Sequence, residues 1–265
     1  MSEIKEMVIA AERIKALTSL NIASGVCFSP ATADGCIVLN VEEGTVLSLN
    51  NIGALMFAKL AARETGLTHD EFVEAVSSEF EDVQRPRIES GVDNLLAQLE
   101  EKKVLQTQGG NLGLYGKWLR AKVVEGVAVC ARAVLKPLLF IKAYTSASVL
   151  LLATADAILK IAGFSGLHQT VKHWKLAINP AEDAEMIVRG CATVERACTW
   201  HPKQELCLQR SAVAACLLRS LGVPAEMVIG VHKMPFYGHA WVEVNGKVVN
   251  DDKNVQSFFQ ELCRC

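Results

Sequence analysis

Short apolar runs separated by turn residues open the chain. Val26-Cys27-Phe28, Ile37-Val38-Leu39 and Val46-Leu47-Ser48-Leu49 are partly β-branched and are divided by Asp34-Gly35 and Glu43-Gly44, which predicts three small strands. The apolar period then lengthens. Ile52, Leu55, Met56 and Leu60 predict a helix that follows Asn50, runs through Ala61 and is closed off by Gly66. Thr68-His69-Asp70-Glu71 has the form of a capping box, in which hydroxyl and carboxylate satisfy free amides at a helix start, with Phe72, Val73 and Val76 facing inward. After Pro86, residues Ile88, Val92, Leu95, Leu96 and Leu99 recur at three and four. They predict a third amphipathic helix ending at Lys102-Lys103, where cations suit the negative helix end. Val104-Leu105 is a candidate wing.

From Leu112 to Leu176 the chain is apolar and basic, with nine Lys/Arg against Glu125 and Asp156. Asp156 and Lys160, an i,i+4 pair, interrupt the run from Ser146 to Phe164, and Arg132, Lys136, Pro137 and Lys142 break the run from Val123 to Tyr144. The expectation is long buried helices rather than a membrane span, and no membrane association. Further on, Cys207-Leu208-Gln209-Arg210-Ser211 opens a helix rich in small and apolar residues that Gly222 and Pro224 stop. Ala225 to Val231 reads as a strand, His232 to Gly238 as a loop and His239 to Val244 as a second strand. After the Asn245-Gly246 turn, Lys247 to Asn250 returns as a third strand leading into Asp251-Asp252.

Charge divides what the pattern leaves continuous. Residues 1–108 carry 9 Lys/Arg against 17 Asp/Glu, a net of -8, whereas residues 109–265 carry 18 against 12, a net of +6. The boundary falls in Gln106 to Asn111, with Gln108-Gly109-Gly110-Asn111 as the linker, so two units are expected, at 15–107 and 112–265, in an α+β chain. Three strands with three helices make the first unit winged-helix-like, a shape whose default is nucleic-acid binding. Its charge excludes that: phosphates need Lys/Arg, and the third helix carries Glu89, Asp93, Glu100 and Glu101. No apolar signal-type run precedes Met7, and nine cysteines at scattered positions read as reduced thiols of a cytoplasmic protein.

The chemistry concentrates after residue 200. Cys207 sits at a helix start, where backbone amides and the helix dipole favour the thiolate, the nucleophilic form. A cysteine hydrolase also needs a base beside the thiol and a third group to hold the imidazole. His239 is the leading base; His232 competes from a loop, and His201 beside Pro202 is weaker. For the third group, a two-residue Asn-Gly loop would set Asp252 opposite His239, and a three-residue loop with a bulge at Gly246 would set Asp251 there. Arg210, one turn past Cys207, either stabilises the thiolate or anchors the helix. Gln204, Trp241 and the Cys207 amide are candidate oxyanion or orienting groups. Cys130, Cys191, Cys198 and Cys216 read as small buried hydrophobes. His168 and His173 read as surface histidines, and Cys263-Arg264-Cys265 as a frayed terminus that does not complete a metal site. No metal or cofactor is expected.

Two resemblances extend this reading. The stretch Val26 to Leu105, with Asp34-Gly35, Leu49-Asn50-Asn51-Ile52-Gly53 and the late Leu-Leu-x-x-Leu helix, resembles the PqqD-like family of precursor-peptide recognition elements. That resemblance implies leader binding by strand addition along Thr45, Val46, Leu47, Ser48 and Leu49. The leader's side chains would enter a groove walled by Val92, Leu95, Leu96 and Leu99. The stretch Glu205 to Asp251, through Cys-Leu-x-Arg-Ser, Leu-Gly-Val-Pro-Ala-Glu, Gly-His-Ala-Trp-Val-Glu and Val-Val-Asn-Asp, resembles the transglutaminase-like, papain-like domain of lasso-peptide B proteins. It implies a leader peptidase with Cys207 as nucleophile, His239 as base and Asp251 as the orienting acid. It also implies a ribosomal precursor peptide as substrate and an ATP-dependent, asparagine-synthetase-like cyclase as partner. The alternatives are a transglutaminase-like acyl transferase and a non-catalytic adaptor that presents the leader to a modifying enzyme.

Overall fold

Side-chain alternation builds the first sheet. In the computed structural model, which describes residues 19–63, 66–80, 82–106, 112–177, 184–201, 207–232 and 236–265, β1 (Val26–Phe28), β2 (Cys36–Asn40) and β3 (Thr45–Leu49) pair antiparallel in that order. Leu47 and Leu49 of β3 turn inward, while Val46 and Ser48 face out. Asn50 caps α1 (Asn51–Ala61) by accepting the Gly53 amide. Thr68 and Glu71 complete both halves of a capping box at the start of α2 (His69–Ser77), and Pro86 lies in the first turn of α3 (Arg85–Glu101). Val38, Leu47 and Leu49 of the sheet share one core with Phe57, Phe72 and the inward row of α3.

Val104-Leu105 does not start a wing. The Ala23 amide donates to the Val104 carbonyl and Leu105 bridges to Ile22, so the segment after α3 closes back on the stretch before β1. The chain divides into two units at residues 109/110; the linker expected at 108–111 lies outside the described residues.

The second unit consists of α4 (Leu112–Phe140), α5 (Tyr144–Lys172), α6 (Ala184–Thr199) and α7 (Cys207–Ser220), followed by a four-stranded sheet. Its strands are β4 (Ala225–His232), β5 (Tyr237–Val244), β6 (Lys247–Val248) and β7 (Gln260–Arg264), ordered β6-β5-β4-β7, with a short α8 (Val255–Phe258) before β7. Helix α7 lies against both β4 and β5, and its buried Ala212, Ala214 and Ala215 permit the close approach. Only one face of α4 is buried, through Val124, Ala128, Ala131 and Leu135; Val123, Val129 and Val134 face outward, so α4 is not the buried helix its apolar content suggests. Among the described residues α5 alone is long and apolar enough to cross a membrane, and it packs on α4, α6 and α7.

The sheet extends further than the pattern implies. His232 closes β4 and faces Tyr237, the first residue of β5, so the expected loop is shorter than His232 to Gly238. The C-terminus is not frayed: β7 pairs with β4, and Cys265 exchanges two backbone hydrogen bonds with Met227. His168 is buried rather than on the surface, whereas Cys130 is exposed rather than buried.

Candidate active site

The hairpin between β5 and β6 turns through two residues. Val244 faces Lys247, and Asn245 and Gly246 both have positive φ, the conformation of a type I′ turn that Asn-Gly favours. Extended regularly, that register would bring Asp252 to His239, yet the acid at His239 is Asp251. The ladder stops too early for the extrapolation. β6 ends at Val248, and after the Val249 amide has donated to the Val242 carbonyl, the side chain of Asn250 rather than a backbone carbonyl accepts the Val242 amide, at 2.6 Å. From there the backbone leaves the sheet, and Asp251 enters.

His239 Nε2 donates to Asp251 Oδ2 at 2.9 Å. With Nε2 engaged, Nδ1 is left for the thiol of Cys207, to which the imidazole is also hydrogen-bonded. That hydrogen bond from His239 is the main reason the Cys207 thiol is held below its ordinary value of 9.0; burial opposes it, while the His239 charge and the Ala240 and Leu208 amides assist. The same bond raises His239 above 6.5, against burial, and Asp251 adds a hydrogen bond and its charge. Both shifts favour a thiolate beside an imidazolium. At Cys191 and Cys216 burial acts in the same upward direction and prevails, pushing them up to about 11 and about 12.

The neighbours divide the remaining tasks. Arg210 donates to Asp251 Oδ2 and lies 3.4 Å from Glu195, so it secures the acid and ties α7 to α6. Asp251 Oδ1 takes the Asp252 amide, and the exposed Asp252 accepts the Asn254 amide at 2.8 Å, a turn-forming role. Trp241 is buried and donates its indole N–H to Glu243, which removes it as an oxyanion donor. Its ring lies under His239 at 6.5 Å, where a Cβ on Gly230 would stand 2.7 Å from it. His201 is half-buried, with Nε2 donating to Asp156 at 2.7 Å; Asp156 also accepts from Gln209 and is therefore turned to these two. Gln204 lies outside the described residues.

Sequence reasoning missed two features. Ser211, fully buried one turn beyond Cys207, donates to the Ala240 carbonyl at 2.8 Å and accepts from Asn250 at 3.0 Å, which links the nucleophile's helix to the residues beside His239 and Asp251. Phe259 stacks on His239 at 4.9 Å. The motif Cys-Leu-x-Arg-Ser did contain Ser211, but no periodicity assigns a hydroxyl to a particular carbonyl.

In the first unit, β3 is an edge strand, with Thr45 donating its hydroxyl to the Lys102 carbonyl and Val46 and Ser48 exposed. The proposed groove wall is not open: Val92, Leu95, Leu96 and Leu99 are no more than 4% exposed and belong to the core. Each lies on the inward row of α3, where burial against the sheet and α2 takes the surface a groove would need.

Comparison with known proteins divides along the same lines. Residues 35–105 match the family model described as Coenzyme PQQ synthesis protein D (PqqD), and residues 149–263 match the Transglutaminase-like superfamily. The microcin J25-processing protein McjB of Escherichia coli is 46% identical over 50 residues, 19% of this chain and 24% of that protein, so the chain spans about a quarter of this curated relative. The solved structure of TbiB1 in complex with the TbiA(beta) leader peptide is 26% identical, at a TM-score of 0.29 over 34% of this chain and 99% of that one. The chain thus carries a PqqD-like segment followed by a transglutaminase-like one in an α+β fold.

Proposed function

We propose that this chain, a lasso peptide biosynthesis B protein by the order of its PqqD-like and transglutaminase-like segments, binds the leader of a ribosomal precursor peptide and removes it as a cysteine peptidase. One observation carries the reading: the thiol of Cys207 and the carboxylate of Asp251 engage the same imidazole. The Cys207 thiolate attacks the scissile carbonyl, and His239 passes its proton to the departing amine, leaving a thioester. Water then attacks the acyl carbon while His239 takes its proton, and the acid is released with the thiolate and imidazolium restored. Asp251 accepts the hydrogen bond from Nε2–H throughout and keeps the ring in the productive tautomer.

The first unit supplies affinity. Edge strand β3, which pairs only with β2 among the described residues, offers its outer backbone edge to an extended leader, and Val46 and Ser48 are its exposed side chains. Held there, the substrate meets the thiol as an intramolecular partner. The released peptide then passes, in the cytoplasm, to an ATP-dependent cyclase of the asparagine-synthetase-like type.

The test uses a candidate precursor peptide, sought as a short open reading frame beside the gene. Cys207→Ala should abolish its cleavage and leave leader binding intact; cleavage at the original rate would remove the nucleophile assignment. Product mass separates hydrolysis, which leaves a free acid on the leader, from transfer to an added amine.

A further inference from the structure

Five rings stand in contact from the core of the second unit to its surface. The buried Trp241 meets both His239, nearly parallel at 6.5 Å, and Phe259, at 6.2 Å and 46°, and Phe259 in turn stacks on His239 with centroids 4.9 Å apart and planes at 26°. Tyr237 meets Phe259 edge-on at 5.2 Å and 89°, and His232 stacks on Tyr237 at 5.0 Å and 29°. Packing accounts for the inner rings. It does not account for the outer end, where Tyr237 is 45% exposed and its chain neighbour Phe236 51%, with Phe258, next to Phe259, at 63%. Aromatic surface left in water beside a nucleophile marks a contact surface.

The chemistry of the Cys-His pair gives that surface a direction. The thiolate bonds to the acyl carbon, whereas the imidazole hands its proton to the leaving nitrogen, so the amine side of the substrate departs past His239. Phe259 covers a face of that imidazole, and Tyr237 and His232 both adjoin Phe259. We propose that Phe259, Tyr237 and His232 form the subsite for the residues following the scissile bond, and that it selects an apolar or aromatic side chain there. The faces and edges of Phe259 and Tyr237 suit another ring in stacked or edge-on contact. The inference rests on the peptidase reading and adds the specificity of its departing side.

The tripeptide amides Gly-Phe-Phe and Gly-Ala-Ala imitate the departing segment, and iodoacetamide alkylation of Cys207 in the full chain, followed by mass spectrometry, reports their binding. At about twice its Kd, Gly-Phe-Phe amide should slow alkylation about three-fold by occupancy alone, while Gly-Ala-Ala amide at the same concentration leaves the rate unchanged. Each variant is scored by its ratio of rates with and without peptide: Tyr237→Leu should bring that ratio to near one, and Tyr237→Phe, which keeps the ring, should preserve it. Equal slowing by both tripeptides, no slowing by either, or full protection in Tyr237→Leu overturns the subsite. His239→Ala without peptide separates the two levels. If that variant is alkylated as fast as the unaltered chain, the peptidase reading fails; if it is slower but no tripeptide protects Cys207, the subsite alone fails.

Discussion

Cys207 differs from the buried thiols by what touches it rather than by its exposure alone. Its His239 partner holds it below 9.0, while desolvation pushes Cys191 and Cys216 up to about 11 and about 12. Iodoacetamide at neutral pH should therefore label Cys207 well ahead of those two, and His239→Ala should slow Cys207 labelling by about ten-fold or more, as read by peptide mass mapping. The pH sign follows from the two shifts. Thiolate reactivity persists below the pH at which an ordinary thiol ionises, and falls only as pH drops through the lowered Cys207 value. Rising pH strips His239 as it passes its raised value, so peptide cleavage should lose its general acid on the alkaline side. The folded chain also binds the His239 proton more tightly than the unfolded one. Its contribution to stability is fully present below about 6.5 and fades as pH rises through the folded value. For the acid, Asp251→Asn should lower kcat by about 10²- to 10⁴-fold through loss of tautomer control, against little change for Asp252→Asn. Similar small losses in both would reject Asp251 as the orienting group.

At the scale of elements, the site depends on how α7 is fastened to β5. Ser211 and Asn250 form a polar bridge in a buried setting, so Ser211→Ala leaves the Ala240 carbonyl and the Asn250 amide short of a partner. The expected cost is about 1–3 kcal/mol in urea unfolding, accompanied by slower Cys207 alkylation, because the bridge also sets the spacing of the helix and the His239 strand. A stability loss with unchanged alkylation would make the bridge purely structural. In the first unit the corresponding local device is the capping box, and Thr68→Ala should cost about 1 kcal/mol without altering Cys207 chemistry.

At the scale of the molecule, the PqqD-like and transglutaminase-like segments occupy separate units of opposite charge, -8 before residue 109 and +6 after it. If leader capture supplies the affinity, a free leader fragment competes for β3 and not for the thiol. Added in excess, it should raise the KM for precursor and leave kcat unchanged, as measured by initial rates over a range of precursor concentrations. A fall in kcat with constant KM would place the fragment at the catalytic unit.

Local patterns carried most of the elements. Thr68 and Glu71 announced the start of α2, the row from Ile88 to Leu99 announced α3, and Asn245-Gly246 announced a hairpin, because each depends on residues within a few positions of one another. The order of Cys207, His239 and Asp251 was legible in the same way, as residue types on a helix, a strand and the segment after a turn. What local spacing does not contain was decided only in three dimensions. The hairpin pattern left Asp251 and Asp252 open where the resemblance named Asp251, and the hydrogen bond of His239 to Asp251 follows from Asn250 ending the ladder; the pairing of His201 with Asp156 came from the approach of α5, and the burial of Val92, Leu95, Leu96 and Leu99 from the core they share with the sheet and the other helices. A chain fixes which groups it carries and their local geometry; which distant group satisfies a buried donor, and which apolar face stays open to a ligand, depends on the packing of all the elements at once.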